Sequence, residues 1–261
     1  MPFPDSPRVI YQKNPLTEVI CQLSFPAILR IDSEIPARFQ GKIQEEYPIY
    51  QETQGANLKL NFPQELAQVV GNTLSLKSGR ATYQFLSADR KWRVTLTRES
   101  LSVSTVEYKR WGDFKRYLEI AFTAFLEEYK PPFFTRIGLR YQDLIQRSKL
   151  SLENVSWSEL LSPPIAGELS APEIVDKITH CVNQLTISLD DNGSMVLLNH
   201  GLVSNENSEN LYLIDSDFLT EQKTEVQNVI ERLDYFNKFS GRLFRWCISE
   251  MLHNALEPEP V

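Results

Sequence analysis

The stretch TRIGLRYQDLI, residues 135–145, alternates apolar with polar side chains, and so does TEVICQLSFPAIL at residues 17–29. Alternation with a period of two is the mark of a strand that lays one face on a core. In the later stretch Ile137, Leu139 and Tyr141 share a face, and Arg136, Arg140 and Gln142 share the other. In the earlier one Val19, Cys21, Leu23 and Phe25 form the apolar face, with Glu18, Gln22 and Ser24 opposite. Thr17 and Thr135 open the two stretches, and the elements after each come in the same order.

After the first strand, Ser33 is a candidate N-cap and Pro36 a first-turn residue for a helix whose Phe39, Ile43 and Tyr47 recur at intervals of four. Short β segments are expected around Leu58–Phe62, Ala67–Leu76 and Ala81–Leu86. A hairpin then pairs Trp92, Val94 and Leu96 with Leu101, Val103 and Thr105. A helix over 110–129 carries Phe114, Tyr117, Leu118, Ala121, Phe122 and Phe125 on one stripe, and Pro131 stops it. After the second strand come a short helix at Trp157–Leu161 and strands over Val182–Leu189 and Ser194–Leu202. An Asp190-Asp191-Asn192-Gly193 turn joins those two strands, and Asn-Gly between apolar runs is a strong hairpin signal. The strand LYLIDSDF (211–218) comes next, and a helix over 222–255 closes on Pro258.

This order predicts an α+β protein, a tandem duplication of a β-α-β(3–4)-α unit with halves at 1–131 and 132–261. The N-terminal unit begins with an extended arm, because Pro2, Pro4, Pro7 and Pro15 resist regular pairing. Antiparallel strands can leave one face open while helices cover the other. The expectation is one continuous saddle-like sheet with both long helices on a single face, similar in element order to the TATA-binding-protein-like fold.

Composition narrows the class. The chain has 261 residues, 42% hydrophobic and 23% charged, an ordinary globular balance. No apolar run reaches the ~20 residues of a membrane span, and the Pro-rich start lacks the apolar core of a signal peptide. Cys21, Cys181 and Cys247 are an odd number in apolar surroundings, which fits reduced thiols and a cytoplasmic location. The net charge is −7, unlike a nonspecific nucleic-acid binder. It is unevenly spread: residues 90–116 hold eight basic and three acidic side chains, residues 203–261 five basic and eleven acidic.

Motifs for common chemistries are missing from the sequence. Gly41-Lys42-Ile43 lacks the rest of a P-loop, and there is no G-x-G-x-x-G, C-x-x-C, H-E-x-x-H or G-x-S-x-G. No cofactor is expected. Asp215 and Asp217 lie on one strand face about 7 Å apart, a spacing two carboxylates could use to share a divalent cation. They are weak metal candidates. Arg136 and Arg140 also share a face, where a planar guanidinium could read a carboxylate, phosphate or peptide. With Gln22 and Arg93 they form the expected partner-binding set.

The residues Asn14–Cys21, Phe39-Gln40, Tyr47-Pro48, Phe134–Tyr141 and Asp215–Phe218 resemble those of a sporadically distributed, functionally uncharacterised bacterial family of similar chain length. The resemblance implies no catalytic residue, and a patchy distribution implies mobile or defence-linked genes. The resulting expectation is a non-enzymatic binding protein that engages a protein partner, the product of a neighbouring gene. An antitoxin-like role, or an accessory role in a defence or mobile-element system, is its most concrete form, and homodimerisation is a further option. The alternatives are a nucleic-acid binder using the open sheet and a metal-dependent hydrolase using Asp215 and Asp217. No membrane association is expected.

Overall fold

The computed structural model describes residues 2–54, 81–191, 193–204 and 209–260. The β segments expected at 58–62 and 67–76 lie outside the described residues, as does Asn192 of the expected turn. What is described is an α+β protein built on one nine-stranded antiparallel sheet. Its strands are β2 (Leu16–Ser24), β3 (Ile49–Gln54), β4 (Ala81–Leu86), β5 (Trp92–Thr97), β6 (Ser100–Thr105), β7 (Arg136–Ile145), β8 (Cys181–Ser188), β9 (Ser194–Ser204) and β10 (Asn210–Thr220). They lie in the order β3-β4-β5-β6-β2-β7-β10-β9-β8. The two alternating stretches, β2 and β7, are therefore neighbours at the middle of the sheet, with Val19 opposite Tyr141 and Cys21 opposite Leu139.

The long helices α3 (Trp111–Tyr129) and α6 (Val229–Cys247) pack on one side of this sheet. Phe114 of α3 lies 5.7 Å from the Trp92 ring, and Phe236 of α6 lies 6.4 Å from the Phe218 ring. Alternation and register put Trp92, Val103, Cys21, Leu139 and Phe218 on the same face. The short helices α1 (Arg30–Ser33), α2 (Ala37–Ile43), α4 (Trp157–Leu160) and α5 (Pro163–Ala166) complete the layer. Phe39 of α2 meets Phe85 and Trp157 of α4 meets Tyr212, both on that face. The opposite face carries no described helix. One apolar cluster on the covered side takes in residues of both halves, including Phe25, Phe125, Phe134 and Phe236.

Three expectations change. The helix expected over 222–255 is two helices, α6 and α7 (Glu250–Ala255). Ile248 turns extended to bridge Leu161, and the Ser249 hydroxyl then caps α7 by accepting from the Leu252 N–H at 3.3 Å. Ser33 is not the N-cap expected of it: it is the last residue of α1, and the expected helix begins only at Ala37, as α2, with Pro36 in the N-cap position. The arm does pair: β1 (Val9–Tyr11) runs antiparallel to β11 (Pro258–Pro260). The prolines flank β1 instead of interrupting it, so its N–H groups stay available.

Helix α3 ends where the sequence places its stop, but by an unusual residue. Lys130 takes a left-handed conformation (φ 48°) and donates its N–H to the Leu126 carbonyl at 3.1 Å before Pro131. That position favours glycine. Lys130→Gly is expected to raise the unfolding free energy by about 0.5 kcal/mol in urea denaturation, against a loss if Lys130 is held there by a contact of its own.

Candidate functional site

The helix-free face is built by the polar parity of its strands. On β7 the residues opposite the core are Arg136, Gly138, Arg140 and Gln142, and on β10 they include Asp215 and Asp217. Arg140 stands directly across from Asp217 in the register, yet its guanidinium reaches along the diagonal to Asp215. Nε donates to Oδ1 at 2.6 Å and Nη2 to Oδ2 at 2.7 Å, the two-pronged geometry that suits a carboxylate. Asn199 on β9 adds a third donor to Asp215 at 3.3 Å. Arg136 donates to Asp217 at 2.6 Å and to the Gln22 amide oxygen at 3.0 Å.

These contacts bury Arg140 and leave Arg136 partly accessible, so of the two arginines in the expected partner-binding set only Arg136 meets solvent. Arg140 is 4% exposed and Asp215 0%. Arg136 is the more accessible, with its side chain 19% exposed. Two basic residues on β7 stand beside two acidic residues on β10, and each charge finds its opposite within the sheet. Arg93 lies near Glu18 and pulls that carboxyl down, although burial prevails and holds it above its usual value. The six charged groups Glu18, Arg93, Arg136, Arg140, Asp215 and Asp217 sum to zero.

The metal candidates are spoken for in the same way. Both Asp215 oxygens accept from Arg140, and Asp217 accepts from Arg136, so guanidinium groups stand where a cation would have to sit. Among the described residues no cluster of three His, Cys, Asp or Glu side chains could hold a metal ion. The thiols show no activation. Burial pushes Cys21 and Cys247 up, and burial with the Glu168 carboxylate beside it raises Cys181. His200 and His253 are each hydrogen-bonded to a tyrosine hydroxyl at 2.8 Å, Tyr212 and Tyr11.

What sequence reading missed is the character of β8. It stands last in the sheet, paired with β9 on one side, and no described strand lies on the other. Its eight residues, CVNQLTIS, hold no charge and no proline. Natural sheets usually guard such an edge with lysine, proline or a bulge, because a free row of N–H and C=O groups invites another strand. None of those side-chain guards is present here. Gln184, Leu185 and Thr186 are not buried, and Leu185, at 41%, is one of few large apolar side chains exposed to that extent among the described residues. The signal was in the sequence, as a charge-free run, but only the strand order turns it into an edge.

No protein-family model matches the chain, and no curated protein matches it. No described helix is long and apolar enough to cross a membrane.

Proposed function

We propose that this chain is a non-enzymatic binding protein that takes up an extended segment of a partner protein as an added strand at β8. The observation that carries this reading is the uncharged, proline-free outer edge of β8. Added strands gain affinity from main-chain hydrogen bonds and specificity from alternate side chains. Charge selects the partner. The chain carries −7, and residues 203–261, which include β10 and the helices after it, hold eleven acidic against five basic side chains. A basic extended segment is therefore favoured on encounter. An antitoxin-like or defence-accessory role is one setting in which a neighbouring gene would supply it.

The strand order supports a duplicated architecture beneath this function. In each half the first strand lies beside the last, β2 by β6 and β7 by β10, and the two first strands meet at the centre. That is the arrangement a saddle with a pseudo-dyad between β2 and β7 requires. The balanced charge of the helix-free face speaks against its use for nucleic acid, where an uncompensated basic surface supplies most of the affinity.

Leu185→Lys tests the reading. The residue is exposed, so the change should leave the melting temperature within about 1 °C, consistent with surface substitutions worth under about 0.5 kcal/mol. Binding of the neighbouring gene's product, measured by calorimetry, should weaken by about 30-fold or more, the scale of an interface hot spot. Unchanged affinity would place the partner elsewhere.

A further inference from the structure

Beneath the N-terminal arm, between the sheet and α6, lies a cavity of about 200 Å³. Its lining includes Asp143 and Ser216, from β7 and β10. Asp143 is 5% exposed and Ser216 4%. The parity that puts Tyr141 on the core puts Asp143 there as well, on the face opposite Arg140. Among the described residues no donor hydrogen-bonds the Asp143 carboxylate, and no basic side chain pairs with it. Burial, with Asp215 on the far side of the sheet adding to it, pushes this carboxyl well above its usual range. An ionisable group held this way without a partner is expensive for a fold to keep, and it faces a space large enough for a small molecule. An apolar cavity of about 150 Å³ takes benzene.

The wall around Asp143 suits a cation. Tyr11, Tyr108, Tyr141 and Phe244 all line the cavity. Tyr108 and Tyr141 stand nearly perpendicular at 5.8 Å, and Tyr11 and Phe244 lie 5.5 Å apart. Aromatic rings around a carboxylate are a familiar way to hold an ammonium group. Elsewhere the lining is basic, with Arg8, Lys238, Arg242 and Arg245 contributing to it; Arg242 is paired with Asp5 and Arg245 with Glu250. Arg8 donates to Asn237 at 2.5 Å, and Lys238 is exposed with no carboxylate partner among the described residues.

We propose that this cavity binds a small zwitterion, its ammonium group on Asp143 and Ser216 and its acidic group towards Lys238 and Arg8. The site is independent of the β8 edge, so either can fail without the other.

The full chain is titrated by calorimetry with 6-aminohexanoate, hexylamine and hexanoate, which differ only in which end is charged. 6-Aminohexanoate should bind, hexylamine more weakly, and hexanoate not at all. Asp143→Asn removes the ionisable carboxyl at nearly constant shape and should fold. It should weaken 6-aminohexanoate by roughly tenfold or more, the loss of one charge-assisted hydrogen bond. Lys238→Ala, at an exposed position, should reduce the preference for 6-aminohexanoate over hexylamine, Arg8 remaining, while leaving hexylamine binding unchanged. Absence of binding by both amines, equal binding of hexanoate, or undiminished binding to Asp143→Asn overturns the proposal.

Discussion

Arg140→Ala is expected to lower the unfolding free energy by about 3–5 kcal/mol, because it strands a buried carboxylate. Asp215, 0% exposed, receives two of its three side-chain hydrogen bonds from that one guanidinium. Removing the arginine leaves the charge in place and removes what made its burial tolerable. The pair itself need not be strongly stabilising, since desolvation of both partners offsets much of their attraction. Arg140→Met combined with Asp215→Leu should therefore recover most of the loss in urea denaturation. A double variant as unstable as the single one would mean that the pair contributes through its hydrogen bonds and not merely by mutual neutralisation. A stability loss under about 1 kcal/mol for Arg140→Ala is the scale of an exposed pair, and it would contradict the burial.

Phe125→Ala should cost a similar amount, about 3–5 kcal/mol, the usual range for emptying a core aromatic site. Phe125 is 0% exposed, with the Phe25 ring at 4.7 Å, Tyr129 at 5.5 Å and Phe134 at 6.5 Å. Phe25 lies just after β2 and Phe134 just before β7, so this cluster ties the two halves together behind the central strands. The sheet is also continuous across the β2–β7 junction. The loss should accordingly appear as a shift of one transition, with calorimetric and van't Hoff enthalpies equal. Two resolved transitions, with only one moved by the substitution, would show halves that unfold separately.

Much of this architecture is legible in the chain because period-two alternation survives without any knowledge of neighbours. β2, β7, β9 and β10 are visible in that way, and the stripe of α3 is visible in the same sense at a period near 3.6. What alternation cannot supply is register and order. It places Arg136 and Arg140 on the polar face, but whether they meet solvent depends on Asp215 and Asp217, which β10 brings alongside from some 75 positions away. The break between α6 and α7 depends on Leu161, which bridges Ile248 from another part of the chain. The sequence CISEM offers no proline or glycine to announce it. Asp143 could have been found by parity alone, as a charge among Ile137, Leu139 and Tyr141, although the cavity it lines requires the arm and α6 to be in place. β8 is legible as a strand and illegible as an edge, since being last in a sheet is a property of the whole order.

The docking of a partner strand is tested most directly by hydrogen–deuterium exchange of the full chain, free and saturated with the neighbouring gene's product. The amides of Cys181–Ser188 whose N–H groups point away from β9 should exchange quickly in the free chain and become strongly protected in the complex. The amides of β7 at the sheet centre should be slow in both states. Protection confined to other segments, with β8 exchanging as fast in the complex as alone, would contradict the proposed edge.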